Sequence, residues 1–485
     1  MEETLCVKNP SYEEFFTLYG KDYKIQIPPY QRSYVWDNKK VEQLLIDWKE
    51  FLESESSNNN PWYYMGALII HIDRKRHILN IVDGQQRLTT LLMIDFELNK
   101  DNSALKKYSN LLDFKFSSHI SRGNIMNNIK LLRNLLSVGD KYVVIKESNI
   151  FPNLRFSVIM TDNEDDAFTF FDSQNNRGVQ PAAVDVMKAV HLRAIQNDDE
   201  LRKHCAIKWQ EIQVTGNNIF RNSPENYLDN LVDMALWRIR RWKGNHFENN
   251  SDYNTAMDEF ANNPQKGYGD MIRYYSIASE SMIKYYQDMK VQEGILEKGI
   301  NIEKTHPFNV RQPLLKGVSV FSYLETYHMI TKKLFIDKNT DKDISLMKEL
   351  YYNLYIKTRC SKYMTDFFII MIIAYYDKFG TRKLYKFAML IDFIIGMIRL
   401  NTYYFKKVTM RNFMQEHNIL DVLQICFEPE EVFAYISSLD IKDENRNPKN
   451  EPIRSYVDAC TNYFGQTFDG DLRDVKLKWT EKSYE

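Results

Sequence analysis

Several absences narrow the function of this chain at once. Its five cysteines, Cys6, Cys205, Cys360, Cys426 and Cys460, lie far apart and form no CxxC or Cys/His cluster, which argues against both a zinc site and a disulfide framework. Long hydrophobic runs are missing: the most apolar segment, Phe367 to Tyr376, has about half of the roughly 20 residues a membrane span needs. Asp366, Asp377 and Lys378 close it, so a buried helix is expected and no membrane partner. An excess of one charge is missing too. Lys and Arg total 64 against 65 Asp and Glu, a net charge of -1, so nucleic-acid binding has to come from a local patch. The first ten residues have no basic region followed by an apolar run, which predicts no secretion signal and a cytoplasmic location. No repeat of fixed period is found.

What is present has the balance of a globular protein, with 44% hydrophobic and 27% charged residues, and 485 residues are enough for two or three domains. The first part reads as mixed helix and strand. Ser11 and Glu14 have capping-box spacing ahead of Phe15 and Phe16. Lys24 to Tyr34 is extended, because Pro28 and Pro29 remove donors and push Ile27 out of the helical region. Asp37 then caps a helix whose apolar face is Val41, Leu44, Leu45, Trp48, Phe51 and Leu52. Tyr63 to Ile72 and Ile78 to Val82 read as a hairpin across Asp73 to Arg76, and a helix begins at once after Asp83 and Gly84. A strand at Leu154 to Met160 leads to a helix around Asp165 to Asp172, a polar turn at Asn175 to Gly178 and a helix beginning near Pro181. From about Leu201 the pattern becomes long aromatic-rich helices, with breaks at Asn245 to Tyr253, Lys298 to Pro313 and Lys338 to Asp343, and a polar loop at Asp440 to Glu451. The fold class expected is therefore α+β, with domains at 1–198 and 199–485, the second mostly α-helical.

Three segments carry chemistry. In Val82-Asp83-Gly84-Gln85-Gln86-Arg87-Leu88-Thr89-Thr90, Gly84 permits a sharp turn and close backbone approach to a ligand, and the following helix offers unpaired amides and a positive dipole end to phosphate. Arg87 can add a forked cationic contact, and Asp83 can hold magnesium, which at phosphates takes only one or two protein carboxylates. An ordinary turn has the same pattern. In Ile27 to Trp36 the prolines hold an extended backbone from which Tyr30, Gln31, Arg32, Tyr34 and Trp36 can stack on a base and pair with phosphate, or equally pack as an edge strand. The third segment is Phe171-Asp172-Ser173-Gln174-Asn175-Asn176-Arg177-Gly178, followed by Asp185 and Lys188 at the spacing of an i, i+3 pair.

Together and in this order, IPPYQRSYVW, IVDGQQRLTTL and FFDSQNNRGVQPAAVDVMK resemble the three hallmarks of the GmrSD N-terminal family (domain of unknown function 262), over roughly residues 10 to 195. The resemblance implies a ParB/sulfiredoxin-like N-terminal α/β domain that binds or hydrolyses a nucleoside triphosphate (GTP, ATP or CTP) with magnesium to control attack on modified phage DNA, as in GmrS-like and SspE-like proteins. On that resemblance Asp83, Gln86 and Arg87 are the expected catalytic residues, with Asp83 on the metal. Tyr30, Gln31, Arg32, Gly84, Gln85, Thr89, Asn176, Arg177, Gly178, Asp185 and Lys188 are the expected lining of the nucleotide site. Many relatives end in an HNH-type nuclease domain, but no His-Ile-x-Pro run is found and no histidine follows His417. A metal-dependent nuclease there lacks its general base. The expected protein is thus the sensor and NTPase subunit, with DNA, a separate nuclease subunit and further copies of itself as candidate partners. Two alternatives stay open: a non-catalytic nucleotide-responsive DNA-binding or scaffold protein, and a nicking enzyme that uses the N-terminal domain.

In the helical half, Trp237 to Lys243 is the best candidate DNA-facing patch, with Arg238, Arg240, Arg241 and Lys243 on phosphates and Trp237 or Trp242 on an exposed base. The competing reading is a helix C-terminus with its tryptophans in the core. Lys357 to Lys362 and Arg399 to Arg411 are less specific basic stretches.

Overall fold

A computed structural model of the chain describes residues 5–18, 22–28, 31, 33–54, 62–114, 119–137, 141–175, 182–195, 198–214, 219, 227–248, 253–261, 309–358, 361–402, 404–441 and 451–465. The described chain divides into two compact units, Met1–Pro181 with Asp199–Ile207, and Ala182–Asp198 with Lys208–Glu485.

In the first unit, β1 (Leu5–Lys8) leads into α1 (Tyr12–Thr17), which starts at the expected capping box: the Ser11 hydroxyl accepts from the Glu14 amide at 3.2 Å, and the Glu14 carboxylate accepts from the Ser11 amide at 2.7 Å. After β2 (Lys24–Gln26) and an extended stretch, the Asp37 carboxylate accepts from the Lys40 amide at 3.0 Å and opens α2 (Asn38–Ser54). Val41, Leu44, Leu45 and Trp48 are buried along one face of α2, each contributing about 1.5–3 kcal/mol by leaving water. The hairpin is present as β3 (Tyr63–Asp73) and β4 (Ile78–Asp83), which pair antiparallel. Next come α3 (Gln85–Asn99), α4 (Ala104–Lys107), β5 (Leu112–Asp113), α5 (His119–Ser137), α6 (Val143–Glu147), β6 (Leu154–Thr161) and α7 (Glu164–Asn175).

The six strands form one mixed sheet in the order β1-β6-β3-β4-β2-β5. β1 with β6 and β3 with β4 are antiparallel; the other neighbours are parallel. Leu68, Ile70 and Ile72 of β3 point into the main core with residues of α1, α2, α3 and α5. Strand alternation turns Ile69 to the opposite face, where α7 packs on β3, β4 and β6. Because β2 and β4 are parallel neighbours, their carboxyl ends lie at the same sheet edge, and the first two motifs both begin there.

The second unit is helical. It contains α8 (Ala183–Ala194), the later part of α9 (Asp199–Val214), α10 (Tyr227–Asp229), a π-helical segment Asn230–Leu236 running into α11 (Trp237–Arg241), and α12 (Tyr253–Phe260). It continues with α13 (Val318–Phe335), α14 (Lys342–Tyr351), a π-helical turn Tyr352–Ile356, α15 (Lys362–Phe379), α16 (Leu384–Asn401), α17 (Lys407–Glu416), α18 (Ile419–Ile425), α19 (Pro429–Ser438) and α20 (Glu451–Phe464). The apolar run Phe367 to Tyr376 is buried all round within α15, as expected, and no helix among the described residues is long and apolar enough to cross a membrane. Buried carboxylates in this core are held by tyrosine hydroxyls. Asp377 accepts from Tyr327 at 2.6 Å and from the Val310 amide at 3.1 Å, and Asp392 accepts from Tyr355 and Tyr456, both at 2.8 Å.

His191 of α8 ties this unit together as a neutral ring. Its Nδ1 accepts from the Gly317 amide at 3.2 Å, which leaves Nε2 to donate to the Phe260 carbonyl at 2.8 Å. Burial holds its pKa down at about 4. Between pH 6.5 and 4 the unfolded ring takes a proton that the folded ring refuses, so its stability contribution is complete above pH 6.5 and is lost on acidification through that window. Urea unfolding should show roughly 3 kcal/mol of this dependence. His191→Gln should flatten the pH dependence in this range, and an unchanged slope in that variant would refute the assignment.

Candidate functional site

The carboxyl end of β4 is built around Gly84. Its φ of 91° is a left-handed conformation, and a Cβ there would lie 2.1 Å from Leu68 Cδ2 and 3.2 Å from the Ala67 carbonyl. Gly84 accepts the first helical bond of α3, from Leu88 N at 3.0 Å, and no side chain caps the helix. The amides of Gln85, Gln86 and Arg87 therefore head α3 at its positive end, the arrangement that suits a phosphate.

Asp83 and Arg87 flank that turn on the same side. Arg87 Nη2 donates to Asp83 Oδ2 at 3.3 Å, and the two side chains keep 27% and 25% of their surface open to solvent. Arg87 is also anchored on β3. Its Nη1 donates to the Met65 carbonyl at 3.2 Å and its Nη2 to the Ala67 carbonyl at 2.5 Å. Both carbonyls face it because β3 shifts register against β6 between Tyr64 and Ala67, with Gly66 at φ 90°. The guanidinium is thus a clamp joining β3, α3 and Asp83, with three of its five N–H groups engaged.

Gln86 is buried with both ends of its amide committed: Nε2 donates to the Ser33 carbonyl at 2.9 Å and Oε1 accepts from Val35 N at 2.8 Å. Both bonds fasten the extended segment 33–35 to α3, which gives the Gln86 side chain a positioning role there. Tyr34 is also withdrawn from any base. Its ring is fully buried, its hydroxyl meets Thr90 Oγ1 at 2.8 Å and accepts from Asn128 Nδ2 at 3.1 Å, and burial pushes its pKa up to about 12. Gln31 does reach the turn, donating from Nε2 to the Val82 carbonyl at 2.6 Å, which joins the first motif to the second. Tyr30 and Arg32 lie outside the described residues. One turn apart on α3, Gln85 Oε1 and Thr89 Oγ1 are buried without a hydrogen-bond partner among the described residues. Buried polar atoms are normally satisfied, so this pair marks where a bound molecule or water could bond.

The third motif is divided. Phe171 is half-buried near the end of α7 in the first unit, while Asn176, Arg177 and Gly178 lie outside the described residues. Asp185 and Lys188 are on α8 of the helical unit, where burial lowers the Lys188 pKa to about 8 and Asp185 opposes that shift.

In the expected DNA patch, Arg238 and Arg240 point inward. Arg238 donates to the Asp233 and Met234 carbonyls, and Arg240 to Glu259 at 2.7 Å and to the Val310 and Gln312 carbonyls. Trp242 is fully buried and its Nε1 donates to the Glu248 carbonyl at 3.1 Å. These three are corrected to packing residues, since a group already bonded inside the core cannot meet a phosphate or a base. Arg241 is half-buried and paired with Glu248, leaving Lys243 exposed. Among the described residues no group of three or more His, Cys, Asp or Glu could hold a metal ion. A separate cleft of about 740 Å³ in the helical unit is lined by Glu349, Asn353, Lys357, Arg454, Asp458 and Tyr463, among others.

Sequence reasoning missed Gly66, although a lone glycine inside the strand pattern Tyr63 to Ile72 is the usual mark of a bulge. It also missed a polar ladder across the sheet, in which Gln26 Nε2 donates to Asn80 Oδ1 at 2.6 Å and Asn80 Nδ2 meets His71 Nδ1 at 3.4 Å.

One end of the mixed sheet thus carries a glycine turn, a helix N-terminus and an Asp/Arg pair. Residues 13–192 match the GmrSD restriction endonuclease, N-terminal domain, which supports a GmrSD-type restriction system protein. Over residues 201–452, just over half its length, the chain belongs to a family of unknown function (DUF7834). A search of curated proteins gives no match.

Gly66→Ala tests the clamp. The new Cβ would lie 1.8 Å from Arg87 Nη1, on a backbone that L residues rarely adopt, so a loss of roughly 2 kcal/mol or more is expected by calorimetry. An unchanged unfolding midpoint would refute both the left-handed strain at Gly66 and a guanidinium fixed against it.

Proposed function

We propose that this chain is the NTP-binding and NTP-hydrolysing subunit of a modification-dependent DNA restriction or antiphage defence system, with a ParB-like first unit and cleavage carried out by a separate nuclease. The observation that supports this most directly is the placement of Asp83 and Arg87, 3.3 Å apart and both open to solvent, beside the uncapped start of α3. The amides of Gln85, Gln86 and Arg87 would take the phosphates, and Gly84 leaves room for their approach. Asp83 is a single accessible carboxylate, which fits the usual magnesium–nucleotide arrangement in which phosphates supply the remaining oxygens. A bound magnesium ion would neutralise charge on the phosphates and lower the cost of expelling one of them. The residues themselves have simpler tasks. Arg87 holds Asp83 in place, Gln86 fixes the extended segment 33–35, and the unmet Gln85 and Thr89 atoms offer hydrogen bonds to a nucleotide.

Purified protein with magnesium should release phosphate from at least one of GTP, ATP and CTP. Asp83→Asn keeps the shape and an acceptor for Arg87 while removing the charge, so it should lower turnover by at least a hundredfold without altering the unfolding midpoint. Full turnover in Asp83→Asn would reject the assignment. Calorimetric nucleotide binding by the wild type without any phosphate release would instead favour the non-catalytic, nucleotide-responsive reading.

A further inference from the structure

Two basic stretches of the helical unit contain no acidic residue. No Asp or Glu occurs between Glu349 and Asp366, nor between Asp392 and Glu416, although the whole chain has a net charge of only -1. The fold brings the two stretches together. Ser361 Oγ, at the start of α15, donates to the Phe405 carbonyl at 2.8 Å, just ahead of α17. The adjoining helices pack through Phe367 and Phe413, with ring centroids 6.2 Å apart. Lys362 and Lys407 both act on Asp366, the buried carboxylate beneath them, whose pKa burial raises to about 6.

On the surface so formed, lysines alternate with tyrosines. Lys357 Nζ lies 4.9 Å from the Tyr352 ring centroid, Lys362 Nζ 5.4 Å from that of Tyr363, and Lys406 Nζ 5.5 Å from that of Tyr404. Lys357, Lys362 and Lys406 are exposed, and none of them forms an ion pair with a described carboxylate. Tyr352 and Tyr404 keep 52% and 64% of their surface in water. Arg411, one turn into α17, bonds only to Asn412 next to it. The first turns of α15 and α17 contain no acid, so Lys362 and Lys406 sit at the positive ends of two helices, where isolated electrostatics would favour the opposite charge. A polyanion would relieve that repulsion.

We propose that this surface, carrying Tyr352, Lys357, Lys362, Tyr404, Lys406 and Arg411, binds single-stranded DNA. The lysines and Arg411 would track the phosphates, and the exposed faces of Tyr352 and Tyr404 would stack unpaired bases, which a duplex keeps stacked inside its own helix. The choice of DNA over RNA rests on the DNA-directed reading proposed above, whereas the choice of an unpaired strand rests on the tyrosines alone. The stretch singled out from the sequence, Trp237 to Lys243, supplies little of this, because its arginines and Trp242 face inward.

The test is fluorescence anisotropy with a labelled dT oligomer of about 20 nucleotides over a range of salt concentrations, using the full chain. The wild type should bind with a steep salt dependence. Lys357→Gln, Lys362→Gln and Lys406→Gln combined should flatten the log–log slope by about 2, since each lost phosphate contact on a single strand is worth about 0.7. Tyr404→Ala should weaken binding about tenfold with little change in slope. Lys75→Gln, an exposed cation in the turn between β3 and β4, should bind as the wild type. All the substituted side chains are at the surface, so unchanged circular dichroism should accompany each variant. Unaltered binding in the triple variant, tighter binding to a duplex of equal length, or preference for the ribo-oligomer would each overturn the proposal. None of these readouts depends on phosphate release, so the turnover experiment can fail without affecting this one.

Discussion

The candidate site depends on one guanidinium. Arg87 joins a bulged strand, the first turn of a helix and the carboxylate at the end of the neighbouring strand through three donated bonds. Two glycines make this geometry accessible from opposite sides: Gly66 because a Cβ would collide with the guanidinium, and Gly84 because a Cβ would collide with Leu68. The remaining features follow from that knot. Asp83 is held where the start of α3 opens, and the segment after β2 is fastened to the same helix by Gln86. Lysine could not replace Arg87, because a single ammonium lacks the planar fork that reaches two carbonyls and a carboxylate at once.

The helical unit handles polarity differently. Its chain is rich in tyrosine, and the structure uses many of these rings for apolar area at one end and a hydroxyl donor at the other. Arginines enter the same interior: Arg240 is buried against Glu259 and two carbonyls, and Arg238 lies about 6 Å from the rings of Trp237 and Trp242. A cation count along the sequence therefore says little about which charges reach solvent.

Several elements of the first unit were legible because they depend on local rules, whereas its expected end at 198 was not, since Ala182–Asp198 belongs to the helical unit. The Ser11 and Asp37 caps, the hairpin, and the α2 stripe all follow from spacing and composition within a few residues. The Asp83 to Arg87 turn was equally legible as a place, since glycine after a strand and before an apolar helix has few alternatives. The roles inside it were not. Whether Gln86 and Arg87 face a ligand or the fold depends on Ser33, Val35, Met65 and Ala67, and none of these contacts leaves a sequence signal. For Trp237 to Lys243 the pattern suited both a surface and a core. The structure decides for the core at Arg238, Arg240 and Trp242, whose partners Met234, Glu259, Val310 and Glu248 cannot be read from the pattern. That Lys362 and Lys406 come near each other could not be read from the sequence, because it depends on contacts such as Ser361 with Phe405 between distant segments.

The tyrosine-bound carboxylates of α15 and α16 have a mechanical meaning. Asp377 and Asp392 are both only 1% exposed, and each is matched to hydroxyls on other helices. Sliding either helix by a single residue would drag a charge into hydrocarbon and separate it from its donors, at a cost of several kcal/mol. These bonds fix the register of α15 and α16 against the helices that carry the tyrosines.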